Sequence, residues 1–431
     1  MPLSLTLEEE HMLSGDYGSG VQKSMDLLVQ IGEAFGAERM VEISSSHLIP
    51  YEIMSASRFG VPPAKWFEDW VLEMTEGVSS FRVVTTINPA IVNPQRAIEL
   101  GFKELGEIDP TESVIKGMEK YKRMGAIPVY TCCPFLIFTP RKGEHLGGAE
   151  SVAVAFYNTF FGAKVNRESG PTALAAAVTG RVPEFGMHHL DSRYGQLLVE
   201  INRGLDSNKF TYADYNALAY YVGEKAQGRI PVFYGLSQNL NVTQIKYLCA
   251  PLGVSAGLPM CHIVGVTPEA PTVEIALGGR RAEDKIEFGV EQLQEAYRQL
   301  TTANDERVDA VTIGCPHATL QELGECAQLL GGEKVSPKVK LWVGTAETIR
   351  FIGERMGYVK AIEDAGGFVV TDMCAHSYSY CRGAFSRKHA LGTVATNSAK
   401  AAHYIQIIGS AKTWFGSTEQ CIKAAISGRW Q

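Results

Sequence analysis

The sequence contains no uninterrupted apolar run approaching about 18 residues, the length that a membrane-spanning helix requires. Its start also lacks the basic residues and the apolar core of a secretory signal, and has Glu8, Glu9 and Glu10 there instead. We therefore expect a cytoplasmic protein with no membrane partner. In that compartment its nine cysteines stay reduced and are available for metal binding or catalysis.

A surplus of positive charge is absent as well. The 40 basic and 47 acidic residues give a formal net charge of -7. Because nucleic acids attract basic proteins, we expect no nucleic-acid partner. Charged residues make up only 20% of the sequence, which is not the dense Lys and Glu content of hyperthermophile proteins and indicates a mesophilic composition.

Short apolar segments rich in β-branched residues alternate with amphipathic stretches along the 431 residues. This alternation is typical of α/β proteins with largely parallel sheets. Thr6 and Glu9 form a capping box that predicts a first helix. A division into residues 1–235 and 236–431 is expected near the turn at Gly228. The predicted strands are 40–44, 81–87, 126–131, 230–234, 260–266, 308–313, 339–344 and 367–371, and further helices are predicted at 145–161, 171–179, 288–300 and 318–330.

Three cysteines, Cys132, Cys315 and Cys374, each follow a predicted strand. Ligand sites in open α/β sheets form at the carboxyl ends of strands, so these cysteines can meet at one cleft although 183 and 59 residues separate them. The paired CxxC spacing of structural zinc and the compact cysteine run of a ferredoxin are both absent. Three dispersed thiolates can hold an iron–sulfur cluster with one edge open as a Lewis acid. The alternative is three unrelated cysteines buried as small apolar side chains.

Ten sequence segments carry a resemblance to a known family because they occur together and in one order. In that order they resemble the aconitase X family, and the resemblance runs from about residue 5 to the C-terminus. The segments are Ser45–His47, Thr85–Pro89, Tyr130–Pro134, Gly143–His145, Ala149–Ser151, Asn166–Glu168, Gly170–Leu174, His262–Ala270, Gly314–His317 and Ala395–Tyr404.

The resemblance implies a multi-domain α/β fold with the three-layer α/β/α architecture of aconitases. It implies an enzyme that dehydrates a small hydroxy acid through an iron–sulfur cluster of open nuclearity, held by Cys132, Cys315 and Cys374. The match covers the large, catalytic region over residues 1–431. The small swivelling domain, which carries a serine base and is either fused or a separate subunit in this family, is not represented. We therefore expect a small-subunit partner.

The substrate is less determined than the reaction. Known activities of the family are cis-3-hydroxy-L-proline dehydratase and mevalonate 5-phosphate dehydratase. Separate subunits resemble the second, whereas the mesophilic composition narrowly favours the first. Cys133 stands where the family usually has Thr, Gly148-Ala149 replaces a Trp-Ser pair, and the residues after Cys374 are unusual. These departures make Cys133 and Cys381 further candidate ligands, and leave open a binding or scaffold subunit that has lost the cluster.

Polar residues at strand and helix ends are further candidates. Arg167 can grip a carboxylate bidentately, or form a surface pair with Glu168. Glu150 can act as an acid or base, or merely favour a helix dipole. Residues 396–398 can bind an anion or simply cap the helix that follows. The candidate catalytic residues are Ser46, Glu150 and Ser398, and the candidate substrate-binding residues are Ser45, His47, Asn88, Asn166, Arg167, Thr396, Asn397 and Lys400.

Overall fold

The computed structural model describes residues 3–50, 71–100, 111–377, 391–408 and 411–431. Its α-helices within these ranges are α1 (Leu7–Ser14), α2 (Ser19–Ala34), α3 (Thr111–Arg123), α4 (Ser151–Phe156), α5 (Gly170–Thr179), α6 (Tyr212–Ala226), α7 (Val242–Ser255), α8 (Val273–Ala276), α9 (Val290–Leu300), α10 (Leu320–Leu330), α11 (Glu347–Arg355), α12 (Tyr358–Asp364), α13 (Ala399–Ile407) and α14 (Thr418–Ser427). A π-helical turn at Tyr157–Phe161 continues α4. None of these helices combines the length and apolar character needed to cross a bilayer.

The strands form four sheets. They are β1 (Met40–Glu42), β2 (Ser45–Leu48), β3 (Val84–Ile87), β4 (Gly147–Gly148), β5 (Arg181–Pro183), β6 (Leu197–Ile201), β7 (Pro231–Tyr234), β8 (His262–Ile263), β9 (Asp284–Phe288), β10 (Ala310–Ala318), β11 (Lys340–Thr345), β12 (Phe368–Val370), β13 (Thr393–Thr396) and β14 (Lys412–Phe415). β1 and β5 pair antiparallel, and all pairs in the other three sheets are parallel. The predicted α/β class with largely parallel sheets is confirmed.

The three parallel sheets have the strand orders β3-β2-β4, β8-β7-β6-β9 and β12-β11-β10-β13-β14. Parallel strands need crossover helices, and these cover the sheets with apolar faces. β10 is buried along its whole length at the centre of the third sheet. The second sheet contains strands on both sides of residue 235, and the division expected there stays a prediction about folding units.

The local sequence explains the helix ends. Thr6 and Glu9 form the predicted capping box at the start of α1. The helix predicted at 145–161 begins only at Ser151, because residues 147–148 form β4 and Glu150 caps the helix with its carboxylate. Capping side chains satisfy N–H groups that the first helical turn leaves without partners.

One predicted strand, 126–131, is not present. The segment does run beside β3, with the N–H groups of Ile127 and Thr131 bonded to Thr85 and Ile87. Between them, the N–H of Val129 turns back to the carbonyl of Ile127, at 2.8 Å, and so leaves the ladder. Only a single bridge between Tyr130 and Ile87 remains.

Candidate active site

The candidate site lies where the carboxyl ends of two parallel sheets face each other. In the third sheet the chain adds β11 and β12 on one side of β10, then returns to add β13 and β14 on the other. Ligands of open α/β sheets bind at such a switch point. The two sheets are joined there by a bridge between Ala90, which follows β3, and Met373, which follows β12.

Cys315 lies in an irregular part of β10. Gly314 has φ +91°, and a Cβ on it would come within 2.1 Å of the carbonyl oxygen of Gly344, so only glycine fits this position. The register with β11 shifts between Ile313 and Ala318, and the Cys315-Pro316 peptide bond is cis. The shift in register interrupts the regular ladder at Cys315, and pairing resumes at Ala318. The hydroxyl of Ser398 donates to the carbonyl of Cys315.

Cys132 and Cys374 are held by hydrogen bonds between loops. The N–H of Cys374 donates to the carbonyl of Ala90 at 3.0 Å. Asp372, whose φ is +60°, accepts the N–H of Tyr130 at 3.1 Å through its carboxylate. The N–H of His317 donates to the sulfur of Cys132 at 3.2 Å. Three chain segments that are far apart in sequence thus meet.

The three thiols are electrostatic neighbours. Burial raises the pKa of Cys315 well above its ordinary value, and the charges of Cys374 and Cys132 raise it further against the opposing effect of Lys400. Burial acts against ionisation of Cys132 too, but a hydrogen bond from Cys133, the charge of Lys400 and the N–H of His317 leave its pKa lowered. Of these two cysteines, Cys132 is thus the one whose surroundings favour the thiolate, the form that binds metal.

The three cysteines are the residues of this site that could hold an iron–sulfur cluster. Within the described ranges, no group of three or more His, Cys, Asp or Glu side chains is placed to hold a metal ion. Three cysteines that influence one another's ionisation are nevertheless the donor type that iron–sulfur clusters take, and a multi-iron cluster accepts its thiolates further apart than one ion does. The residues present fit such a group in chemistry and in mutual influence.

Glu150 and Lys400 form a buried ion pair beside these cysteines. The Lys400 ammonium donates to Glu150 Oε1 at 2.5 Å, and Asn88 donates to Oε2 at 3.0 Å. Burial alone would raise the pKa of Glu150, but the charge and hydrogen bond of Lys400 outweigh it and lower the pKa to about 2. Burial alone would lower the pKa of Lys400, but Glu150 and then Cys315 and Cys132 raise it. Both groups are therefore charged at neutral pH.

The histidines around the pair are neutral. Burial lowers the pKa of His47 and of His317 to about 4, and that of His376 to about 3. His47 Nδ1 lies 2.8 Å from the Thr86 hydroxyl, on the side of β2 that faces Glu150. The structure thus brings together the predicted residues Cys132, Cys315, Cys374, Glu150, Lys400, Asn88, His47 and Ser398.

Several predicted residues have other contacts. Ser46 donates to the carbonyl of Ala173 in α5 at 2.8 Å, and its neighbour Ser45 pairs with Val84 of β3. Asn166 bridges the backbone of Phe185 and Met187. These residues hold elements together and do not reach the cysteines through their hydrogen bonds.

The turn at residues 396–398 shows the capping arrangement. Ser398 accepts the N–H of Ala401 at 3.1 Å and begins α13. Thr396 accepts the N–H of Ser398 through its hydroxyl, and the Asn397 amide donates to Thr418. The hydroxyls of Thr396 and Ser398 and the amide nitrogen of Asn397 are therefore engaged within the protein, whereas Asn397 Oδ1 is buried without a hydrogen-bond partner among the described residues. Of these three residues, Ser398 adjoins Cys315.

Arg167 and Glu168 line a separate cavity of about 380 Å³ near α2. Their side chains form no ion pair with each other, nor does Arg167 pair with any other carboxylate in the described chain. The Arg167 guanidinium lies against Gly257. Glu168 Oε2 is buried without a hydrogen-bond partner among the described residues, and burial raises the pKa of this carboxyl to about 8.

The two further candidate ligands differ in what the structure shows. Cys133 is fully buried, lies 3.5 Å from the carbonyl oxygen of His317 as a thiol donor, and has a pKa raised well above normal by burial. It is therefore a protonated neighbour of Cys132. Cys381 lies outside the described residues.

Sequence reasoning missed two buried groups behind the cysteines. His317 contacts Thr131 and Met373 through its ring. Lys246, fully buried in α7, donates to the carbonyls of Pro316 and His317 and pairs with Glu322 at 2.5 Å. The segment Gly314–His317 contained a signal for His317, because a histidine follows a cysteine and a proline there. No local signal marks Lys246.

Comparison with known proteins supports one family along the whole chain. Sequence models of the aconitase X first, second and third domains match residues 2–191, 195–298 and 308–427. The phosphomevalonate dehydratase large subunit of Methanocaldococcus jannaschii is 36% identical over 424 residues, which are 97% of this chain and 99% of that protein. The cis-3-hydroxy-L-proline dehydratase of Pseudomonas aeruginosa is 31% identical over 432 residues, which are 98% of this chain and 70% of that protein.

A solved structure has the same fold. The crystal structure of Thermococcus kodakaraensis aconitase X in its holo-form superposes with a TM-score of 0.82 at 28% sequence identity. The alignment covers 98% of this chain and 100% of the other. The similarity therefore extends over all three parallel sheets.

Proposed function

The chain belongs to the aconitase X family, and on that premise we propose that it is the large, cluster-bearing subunit of a dehydratase acting on a small hydroxy acid. As a member of this family it is a hydro-lyase. The observation that carries the proposal is the meeting of Cys132, Cys315 and Cys374 beside the Glu150–Lys400 pair at the switch point of the third sheet.

Cys132, Cys315 and Cys374 would hold an iron–sulfur cluster. The chemistry that such a group supplies when bound is Lewis-acid polarisation of the substrate hydroxyl that leaves. Cys133 and the N–H of His317 favour the thiolate of Cys132, which prepares that residue as a ligand. The nuclearity is left to measurement.

The residues of the chain itself account for charge and proton handling. Lys400 is charged and interacts electrostatically with Glu150, Cys315 and Cys132, so it can attract a substrate carboxylate to the site. Dehydration requires that a base take a carbon-bound proton and that the hydroxyl leave, with a proton, as water. Glu150 is ionised and is the candidate within this chain whose acid–base group faces the cysteines, since Ser46 and Ser398 donate to carbonyls of the protein.

A separate small subunit is the second part of the proposal. Full-length correspondence with a protein named a large subunit supports it. The partner would supply a swivelling domain with a serine base and would close the cleft against water. We also propose a cytoplasmic location, a compartment in which its cysteines would stay reduced.

Two substrates are each favoured by one observation. The cations near the cysteines in the described chain, Lys400 and Lys246, are each paired with a carboxylate, so the site is almost charge-balanced. This favours the zwitterion cis-3-hydroxy-L-proline over a strongly anionic phosphate. The full-length match with a phosphomevalonate dehydratase large subunit favours mevalonate 5-phosphate. A scaffold subunit without a cluster is the reading that the neighbouring thiols support least.

The test is an anaerobic assay of the reconstituted chain with its small subunit on both substrates. We expect dehydration of one of them, little turnover by the chain alone, and the same visible absorption of the cluster with or without the partner. If the chain binds iron but dehydrates neither compound, the proposed cluster is retained and both proposed substrates are refuted. Full activity from the chain alone would show that the base lies within this chain, and Ser398, Glu150 and Ser46 would then be the candidates to mutate first.

A further inference from the structure

His317 is a buried histidine whose ring and backbone N–H contact the cysteine-bearing segments, while its carbonyl accepts from Lys246. It is 1% exposed. Its backbone N–H donates to the sulfur of Cys132 at 3.2 Å. In its ring, Nδ1 lies 3.1 Å from the hydroxyl of Thr131, and Nε2 lies 2.9 Å from the carbonyl oxygen of Met373. Thr131 precedes Cys132, Met373 precedes Cys374, and His317 itself follows Cys315 by two residues.

The direction of these hydrogen bonds follows from their partners. A backbone carbonyl only accepts, so Nε2 must carry the proton and donate it to Met373. Nδ1 of a neutral ring then accepts from the Thr131 hydroxyl. That hydroxyl in turn accepts the N–H of Cys133 at 3.1 Å. One continuous chain of hydrogen bonds therefore runs from the Cys132-Cys133 loop through His317 to the segment of Cys374.

We propose that His317 is a positioning residue that fixes the three cysteine segments relative to one another for cluster binding. The inference rests on the proposed function, because it assigns His317 a role toward the group those cysteines would hold. Residues behind metal ligands orient them, and their loss typically weakens metal binding by about 10 to 100-fold. In this chain the His317 ring holds Thr131 and Met373, which precede the proposed ligands Cys132 and Cys374. The peptide N–H of His317 orients the sulfur of Cys132 directly.

A purely structural role is the alternative, and another histidine provides the matched control. His262 is also 1% exposed and its Nε2 lies 2.7 Å from a backbone carbonyl, that of Arg193. Its contacts are remote from the cysteine-bearing segments. Removing either ring deletes a buried hydrogen bond to a carbonyl, so both changes should lower stability comparably. Only the loss of His317 should affect the cluster.

The experiment compares wild type, His317→Ala, His317→Gln and His262→Ala after anaerobic reconstitution with iron and sulfide. The readouts are iron per chain, the visible and electron paramagnetic resonance spectra, the rate of iron release to a chelator, and the Tm of the metal-free chain. We expect His317→Ala to release iron about 10 to 100-fold faster with altered spectra. His317→Gln keeps a donor for Met373 and should recover part of the retention. His262→Ala should match wild type in iron release while losing a similar amount of Tm.

Two results would overturn the proposal. Iron release from His317→Ala at the wild-type rate would reduce His317 to a packing residue, and equally fast release from His262→Ala would attribute the effect to lost stability. If His317→Ala does not fold, His317→Gln decides the matter, because unchanged spectra and release in that variant contradict a positioning role. Absence of iron from reconstituted wild type would instead refute the proposed function itself.

Discussion

Glu150 and Lys400 determine the charge of the site at the scale of single residues. Their side chains are only 11% and 12% exposed, and the two charged atoms are 2.5 Å apart. Removing one member of a buried ion pair leaves the other charge unpaired in the low-dielectric interior. The resulting loss of folding free energy is larger than the net stabilisation that the pair provides. The carboxylate also accepts from Asn88, so it is fixed from both sides.

Lys400→Met should therefore destabilise the chain by about 3 to 5 kcal/mol at neutral pH, measured by urea unfolding. The wild-type pKa of Glu150 is lowered from 4.5 to about 2, so the stabilising effect of the pair is complete above pH 4.5 and is lost as the pH falls toward 2. Without Lys400, burial raises that pKa, and protonation of Glu150 should relieve the defect as the pH falls. The double variant Lys400→Met with Glu150→Gln should recover most of the stability.

Lys423→Met is the control for this prediction. Lys423 pairs with Glu419 at 2.6 Å, but the two side chains are 62% and 57% exposed. An exposed pair contributes at most about 1 kcal/mol. Losses of equal size in the two lysine variants would show that the Glu150–Lys400 pair is not a buried ion pair.

Arg167 remains a predicted carboxylate clamp. Its guanidinium has no carboxylate partner in the described chain and lines a cavity with Asn166. Arg167→Lys should keep the fold and lower kcat/KM by an amount equivalent to about 1 to 3 kcal/mol, because lysine cannot make the bidentate contact. The exposed Arg203 provides the control, and Arg203→Lys should leave kcat/KM unchanged. An unaltered kcat/KM in Arg167→Lys would remove it from substrate binding.

The central strand β10 is the element on which the position of Cys315 depends. Gly314→Ala should cost about 2 to 5 kcal/mol, because the residue has φ +91° and the new methyl group meets the Gly344 carbonyl. Gly228 has a similar φ of +84° with nothing within 4 Å of the added carbon, so Gly228→Ala should cost only about 1 to 2 kcal/mol. Equal costs in chemical unfolding would mean that β10 adapts to a side chain at this position.

Glu168, at the turn that leads into α5, gives a pH-dependent prediction. Burial raises the pKa of this carboxyl from 4.5 to about 8, so between these values the folded chain holds a proton that the unfolded chain releases. Its contribution to stability should thus be largest below pH 4.5 and decline until about pH 8. Glu168→Gln should remove this decline from the pH profile of unfolding, whereas Glu291→Gln, at an exposed position, should not. A profile identical to wild type in Glu168→Gln would contradict the buried, neutral carboxyl.

The sequence predicted elements well where a local pattern exists. Apolar runs located β7, β10 and β11, and the capping box located α1. β4 and β8 have two residues each, too few to form a pattern, and are defined by their partners in the sheet. The strand predicted at 126–131 does not form because the N–H of Val129 bonds back to the carbonyl of Ile127. No periodicity in the sequence reveals this hydrogen bond. Pairing with neighbours decides such cases.

The site as a whole shows the same division between local and long-range information. The rule that ligands gather at strand ends predicted that Cys132, Cys315 and Cys374 lie in one cleft, although the described chain has no strand directly before Cys132 and Cys315 lies within β10. It could not predict that Ser46 faces α5, because the side of the sheet on which a serine lies depends on strand register. The contacts of Lys246 with Pro316 and His317 join residues about 70 positions apart and have no sequence pattern.

We propose that Cys132, Cys315 and Cys374, from three distant segments, together hold one cluster, and iron content tests this proposal most directly. Wild type, Cys132→Ser, Cys315→Ser, Cys374→Ser and Cys421→Ser are reconstituted anaerobically with iron and sulfide and then assayed for bound iron and thiolate-to-iron absorption. Cys421, fully buried in α14, is the matched control outside the site. We predict bound iron and visible absorption in wild type and Cys421→Ser, and their loss in each of the other three variants. Iron retained equally in all five proteins, or absent from all, would contradict the account.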